Sequence, residues 1–177
     1  MRTLGWLWIL ASASAAAQEI PRTLALEGGA QIAYTLRNPA PGAHLPDPSA
    51  RLAPTSALNT ARMVVQYLAR GEIEEAALLS NAPRERFGVY KDRLETWGEE
   101  QFKQLFAQYA LPANPVLAEI VIGEHSLIIW NLREEKRLAG QFFVRIEDKV
   151  LMDDKPNAAR AQLRRVLEAY RSGAAAN

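Results

Sequence analysis

Four closely spaced strand-like runs between Val116 and Met152 constrain the fold of this chain more than any other feature. The runs are "VLAEIVI", "SLIIWNL", "LAGQFFVRI" and "KVLM", rich in Val, Ile, Leu and aromatic residues. Short polar or Gly-containing connectors separate them, which is the pattern of consecutive antiparallel hairpins. The sequence therefore predicts a curved antiparallel meander of about four strands.

Helical periodicity before the meander predicts two to three N-terminal helices that cover the sheet. Thr55 or Ser56 is expected to cap the first helix, and Gly71 to end it. A short second helix follows. Gly98 is expected to kink or break the third helical stretch, residues 84–109, because glycine weakens a helix interior by roughly 1 kcal/mol.

A last helix is predicted after the meander, from Pro156 to Ser172, with Asp153 or Asp154 as its cap. Its arginines are predicted to form a solvated helix face, with a basic strip for an acidic partner as the alternative. Together the segments predict an α+β fold: a meander packed on N-terminal helices, with a hairpin added at the N-terminus and one helix at the C-terminus.

The first 17 residues have the pattern of a cleaved signal peptide. Arg2 is followed by the apolar run Leu4–Leu10 and by small residues at Ala15–Ala17. No cysteine follows the apolar run, so we expect no lipid anchor. No stretch is long enough to span a bilayer, so we expect no membrane insertion. A periplasmic or secreted location is predicted.

The remaining chain is expected to form one domain with an N-terminal extension. Alternating apolar residues around Gly28-Gly29 predict a hairpin within residues 18–37, either laid on the domain or detachable as a partner-binding arm. Residues 38–54 are rich in proline and are predicted to be a linker or a strap over the surface. The domain itself is expected at 55–173, with 174–177 as a tail.

The composition excludes several classes of function. The chain has no cysteine and only two histidines, so it cannot be a thiol enzyme or an iron–sulfur protein, and we expect no metal site. Its 21 basic and 20 acidic residues nearly balance, which disfavours nucleic-acid binding. His44 and His125 are expected in solvated loops, and no catalytic residue, phosphate loop or cofactor is predicted.

The two faces of the meander differ in character. A first turn at Gly123–His125 would pair Ile120 with Ile128. A second turn at Arg133–Arg137 would place Trp130 opposite Gly140. One face is then almost entirely apolar and is expected to pack on the helices. The other face mixes apolar with polar side chains, which is typical of an interaction surface. Its candidate binding residues are Glu119, Asn131, Gln141, Phe143 and Arg145.

Three uses of this mixed face remain open: a homodimer or partner interface, burial under the N-terminal hairpin or C-terminal helix, and a ligand pocket. The partner expected first is therefore a protein or a second copy of the chain. A small apolar ligand is a further candidate.

The layout resembles the nuclear-transport-factor-2-like (cystatin-like α+β) superfamily of small exported bacterial domains, over Thr55 to Asp154. Gly71-Glu72 and Glu75-Ala76 stand where that group has its helix-joining turn. Glu147–Asp153 stands at its sheet-closing motif, with Val150 or Leu151 in place of the common Trp. The resemblance implies a cone-like fold, with dimerisation through the outer sheet face. Its members include isomerases and dehydratases as well as binding domains, so fold does not select function.

The function expected from the sequence is that of an exported, non-enzymatic binding or accessory domain that acts through a protein partner or a homodimer interface on the sheet. The alternatives are a small pocket enzyme of the isomerase or hydratase type, or a carrier of a small apolar ligand.

Overall fold

The meander extends into a six-stranded antiparallel sheet in a computed structural model that describes residues 18–26, 28–47, 49 and 51–174. The strands are β1 (Glu19–Ala25), β2 (Gln31–Arg37), β3 (Val116–Ile122), β4 (His125–Leu132), β5 (Arg137–Ile146) and β6 (Lys149–Met152). The helices are α1 (Ala57–Arg70), α2 (Ile73–Ala77), α3 (Pro83–Trp97), α4 (Glu99–Ala107) and α5 (Ala158–Arg171). The predicted signal peptide and most of the predicted tail lie outside the described residues.

The α+β class is confirmed, but the numbers of elements differ from the prediction. The sheet has six strands because the N-terminal hairpin is continuous with the meander, and four helices, α1 to α4, precede β3 where two to three were expected. The strands follow one another in the order β1 to β6, and β2 pairs with β3 through Leu36 and Ile120. Ile32 and Tyr34 of β2 are buried together with Ile120 in one hydrophobic cluster. The hairpin therefore completes the core of the sheet, which explains why it is not a detached arm.

The predicted helix ends are mostly confirmed. The Ser56 hydroxyl accepts a hydrogen bond from the Asn59 N–H at 3.2 Å, and Gly71 ends α1 with a φ of +82°. Gly98 separates α3 from α4 with a φ of +78°, a conformation that only glycine adopts readily.

The predicted cap of the last helix was wrong. Neither Asp153 nor Asp154 caps α5; Asn157 does, and its Oδ1 accepts the Arg160 N–H at 2.7 Å. The reason is that the chain runs on for several residues after β6 before it turns into the helix, so both aspartates are free for other contacts.

The proline-rich segment is a strap and not a free linker. His44, which was expected to be solvated, is 5% exposed. Its Nε2 lies 3.1 Å from the carbonyl oxygen of Leu111, and its ring meets Trp130 edge-on at 5.8 Å. At the end of the strap, the Pro54 carbonyl accepts the Val150 N–H at 2.6 Å. These contacts hold His44 and Pro54, near the middle and at the end of the segment, against the domain.

The predicted register of the meander was wrong by one residue. The β3–β4 turn has two residues, Gly123 and Glu124, and not three, so Ile120 lies opposite Leu127. Across the next pair, Trp130 lies opposite Ala139 and not Gly140. Because side chains alternate between faces, the first shift exchanges the face of the β4 residues relative to β3, and the second shift returns the β5 residues to their predicted faces.

Both faces of the central sheet are covered by helices. Ile128, Trp130 and Leu132 of β4 pack in the cluster formed with α1 to α4. Leu127 and Ile129 pack on the other side, against α5. The result is a three-layer arrangement in which β4 is buried on both faces. Within the described residues, no helix is long and apolar enough to cross a bilayer.

Gly140 allows the close approach of α5 to the sheet. A Cβ at this position would lie 2.5 Å from Leu167 Cδ2 and 3.0 Å from Leu127 Cδ1. The absence of a side chain therefore lets Leu167 of α5 approach the backbone of β5 closely.

We expect Gly140→Ala to lower the free energy of unfolding by about 1–3 kcal/mol, because the added methyl group overpacks the interface with α5. Urea denaturation measures the change. Gly88→Ala is the matched control, because a Cβ on Gly88 in α3 meets nothing within 4 Å; that variant should be neutral or more stable. Equal effects of the two substitutions would contradict this account of Gly140.

Candidate functional site

The structure does not bring the five predicted binding residues together. Glu119 and Arg145 line one cavity, and Gln141 lines a different cleft. Phe143 is completely buried among the N-terminal helices, so it belongs to the core and not to an exposed surface. Asn131 has the same parity on β4 as Leu127 and Ile129 and therefore faces the α5 side. The register shift moves Asn131 off the predicted mixed face, and helices cover both sides of the central strands, so the use of this face as an exposed interface loses its support.

Glu119 and Arg145 do meet in a small polar cavity of about 270 Å³ beside the first turn of α1. We call it the Glu119 cavity; its polar lining consists of Arg37, Ser56, Glu119, Glu124, Ser126 and Arg145. Glu119 Oε1 lies 3.6 Å from Arg37 Nη1, and Arg145 Nε lies 3.7 Å from Glu124 Oε2. The cavity thus holds two guanidinium and two carboxylate groups.

Burial dominates the electrostatics of Glu119. It raises the pKa of the Glu119 carboxyl group, and the charge of Arg37 and a hydrogen bond from the Ser126 hydroxyl oppose that rise without cancelling it. The folded state therefore holds this proton more tightly than the unfolded state does. The Glu119 charge accordingly costs stability above the folded-state pKa, and the cost disappears as the pH falls.

We expect Glu119→Gln to raise stability relative to the wild-type protein at about pH 7 and to lose that advantage towards about pH 4, because glutamine carries no charge to desolvate. Urea denaturation at several pH values measures the difference. Glu134→Gln, at an exposed position in the β4–β5 turn, is the control for the removal of one surface carboxylate. An advantage of Glu119→Gln that grows as the pH falls would contradict the assignment.

Asp153 connects three parts of the fold through one buried carboxylate. It is 1% exposed, and its Oδ2 lies 2.9 Å from His125 Nδ1. Asn81 Nδ2 donates to its Oδ1 at 3.1 Å, and Asn157 Nδ2 donates to its Oδ2 at 2.9 Å. Since Asn157 is the cap of α5 and Asn81 precedes α3, the carboxylate fixes both helices to the start of β4.

This His–Asp pair was not predicted from the sequence, because His125 was expected in a turn. With a two-residue turn, His125 is the first residue of β4 and pairs with Val144. Asp153 directly follows β6, whose last residue pairs with Phe143. A meander with the correct register therefore predicts the two side chains on one face, two strands apart. The side chains that hydrogen-bond to the Asp153 carboxylate belong to β4 and to the starts of α3 and α5, so the pair supports the fold.

Replacement of Asp153 by alanine should lower the free energy of unfolding by about 3 kcal/mol, because the side chains of His125, Asn81 and Asn157 lose their common acceptor. Thermal and urea denaturation measure the loss. Asp148→Ala, in the exposed β5–β6 turn, should change stability by less than about 0.5 kcal/mol. A loss no larger than that of the control would show that the network contributes little.

A basic cleft lies along the first part of β5, where no strand among the described residues pairs with its outer edge. β6 pairs only with residues 143–146 of β5, so residues 137–142 form a free edge between α3 and α5. Two adjoining cavities of about 360 and 550 Å³ share Arg93, Phe106, Tyr109 and Gly140. We call them together the β5 cleft; its other polar and charged lining residues include Arg86, Tyr90, Gln101, Arg137, Gln141, Asp153, Asp154, Arg160 and Arg171.

Arg86 is neutralised within the protein. Its Nε donates to Asp154 Oδ2 at 2.7 Å, and the Ser80 hydroxyl donates to the same oxygen at 2.6 Å. Burial lowers the pKa of the Arg86 guanidinium and raises the pKa of the neighbouring Tyr90 hydroxyl. The paired charges of Arg86 and Asp154 therefore form one wall of the cleft.

Arg93 and Arg160 have no such partner. Within the described residues, no carboxylate lies within 4.0 Å of either guanidinium group. Arg93 lies over the Trp97 ring at 5.7 Å, and Arg160 lies over the Phe142 ring at 5.5 Å. Burial lowers the pKa of Arg160, and its buried Nε makes no hydrogen bond. An unpaired, partly desolvated guanidinium is a site for an anion.

Sequence reasoning missed most of this cleft, although a signal was present. Arg86, Tyr90 and Arg93 are spaced by four and three residues and so share one face of α3. Arg160 and Arg171 are three turns apart on α5, where a solvated face was expected. What the sequence did not show is that β6 is too short to cover β5, which is the reason that these two helix faces meet in a cleft.

Comparison with known proteins gives no match: no family model, no curated protein and no solved structure is significantly similar to this chain. The resemblance to the nuclear-transport-factor-2-like superfamily stays a prediction. The outer sheet face that it implies for dimerisation is covered by α5 in this structure.

Proposed function

We propose that this chain is an exported, non-enzymatic binding domain that binds an acidic segment of a protein partner in the β5 cleft. The observation that carries the proposal is the position of Arg93 and Arg160. Among the described residues, no carboxylate lies within 4.0 Å of either guanidinium group, and no strand pairs with the adjacent edge of β5. The binding surface is thus an edge of the sheet, whereas the sequence had suggested one of its faces.

The chemistry of the cleft favours carboxylates over apolar ligands. A hydrogen bond to a charged group contributes about 1.5–3 kcal/mol, so two arginine–carboxylate contacts support binding in roughly the millimolar range. Tyr90 and Gln141 add neutral polar groups to the same lining. A carrier of a small apolar ligand would need an apolar pocket, and this charged lining does not support that alternative.

The alternative of a small enzyme draws its support from the Glu119 cavity, where burial raises the pKa of a carboxyl group. Acid–base catalysis also needs a second group that completes the proton transfer. The other groups of the cavity are two arginines, a glutamate paired with Arg145, and serines. This set is that of an internal ion-pair cluster, so the binding role has the stronger support.

The cleft is expected to bind fluorescein-labelled hexaglutamate at low ionic strength, and Arg93→Gln/Arg160→Gln should weaken that binding at least tenfold. The physical reason is the loss of both unpaired positive charges. Fluorescence anisotropy measures the affinity. The matched control is Arg84→Gln/Arg165→Gln, which removes the same charge from exposed positions on the same two helices outside the cleft.

Equal losses in the two double variants would show that net charge alone attracts the peptide and would refute the proposed site. An unlabelled single-stranded oligonucleotide of equal charge should compete less well than unlabelled hexaglutamate. Stronger competition by the oligonucleotide would assign the cleft to nucleic acid instead. Sedimentation of the free protein tests the homodimer: a dimer that hexaglutamate dissociates would make a second copy of the chain the occupant.

A further inference from the structure

The free edge of β5 carries a backbone position that is open to another strand. The carbonyl oxygens of Leu138 and Phe142 both point away from β4. Arg171 donates to the Leu138 oxygen at 3.0 and 3.1 Å, and the Asp153 N–H donates to the Phe142 oxygen at 2.9 Å. Residues of one parity on a strand direct their N–H and C=O groups to the same edge. Gly140, midway between them, therefore directs both groups into the β5 cleft.

No strand lies beside Gly140 within the described residues, because β6 reaches only Phe143. The ends of the free edge are closed by Arg171 on one side and by the chain after β6 on the other. An exposed backbone N–H and C=O pair of this kind is a template for one hydrogen-bonded residue of an added strand. The length of the opening limits such a strand to a few residues.

We propose that the acidic segment of the partner binds by strand addition, with one of its residues exchanging both backbone hydrogen bonds with Gly140. This inference rests on the proposed function of the cleft and adds the manner of recognition. Two charged contacts alone give roughly millimolar affinity, and the backbone pair supplies further binding energy and fixes the register of the segment.

The position of the arginines then specifies the sequence of the segment. Side chains of an added strand alternate between the two faces of the sheet. On one face they meet α3 with Arg93, and on the other they meet α5 with Arg160. Since both faces offer arginine, the segment should carry acidic residues at adjacent positions.

The test compares hexaglutamate with hexa(N-methyl-glutamate), which keeps all carboxylates but has no backbone N–H to donate. Strand addition predicts that N-methylation weakens binding at least tenfold in fluorescence anisotropy. In ¹⁵N-labelled protein, hexaglutamate should also slow hydrogen exchange of the Gly140 amide at least tenfold. The amide of Gly123, in the turn between β3 and β4 and outside the cleft, serves as the reference and should not change.

Equal affinity for the two peptides, or an unchanged Gly140 amide, would overturn strand addition. If Arg93→Gln/Arg160→Gln still weakens binding in that case, the proposed function stands and recognition is by charge alone. Failure of hexaglutamate to bind the wild-type protein at millimolar concentration would overturn both. Gly140 itself is not substituted in this test, because a side chain there would displace α5.

Discussion

The whole structure depends on the register of β4, which the two-residue turn at Gly123 and Glu124 sets. Gly123 has a φ of +56°, a conformation that hairpin turns need and that glycine adopts without strain. The turn is held further by the hydrogen bond from the Arg145 N–H to the Glu124 carbonyl, at 2.8 Å. With this register, Trp130 faces α1 to α4 while Leu127 faces α5.

Burial of β4 on both faces has a direct consequence for function. A sheet with one exposed face can present side chains of several strands to a partner, but here helices occupy both sides. The open part of the sheet is the outer edge of β5, and the length of β6 determines how much of that edge is open. Since β6 has four residues and β5 has ten, the first half of β5 lacks an outer neighbour. The arginines of α3 and α5 meet across that gap.

The class of fold and the position of most elements could be predicted from local patterns. The strands between Val116 and Met152, the cap at Ser56 and the break at Gly98 each follow from residues that are adjacent in sequence. The β3–β4 register could not be predicted from local patterns. Turns of two and of three residues are both compatible with "IGEHS", and their energies differ little. That difference moved Asn131 to the face opposite Glu119, and a second shift, between β4 and β5, separated Asn131 from Gln141.

The functional residues were harder to predict because they come from separate elements. Arg93 and Arg160 are 67 positions apart and become neighbours of one cleft only through the packing of α3 and α5 on opposite faces of the sheet. Glu119 and Arg145 were placed correctly on one face, because a shift between β3 and β4 was offset by an equal shift between β4 and β5. The agreement for this pair is therefore a cancellation of two errors.

The network around Asp153 links the support of the fold to the proposed binding site. The same turn of chain that places Asp153 against His125 and Asn157 places Asp154 against Arg86 in the β5 cleft. Asp154 thereby neutralises the most buried arginine of the cleft and leaves Arg93 and Arg160 available. A buried charge without a partner is costly to the free protein, whereas a charge near the surface costs much less. Arg93 and Arg160 therefore lie at the accessible edge of the cleft, where a ligand can reach them. The paired charge of Arg86 lies beneath them.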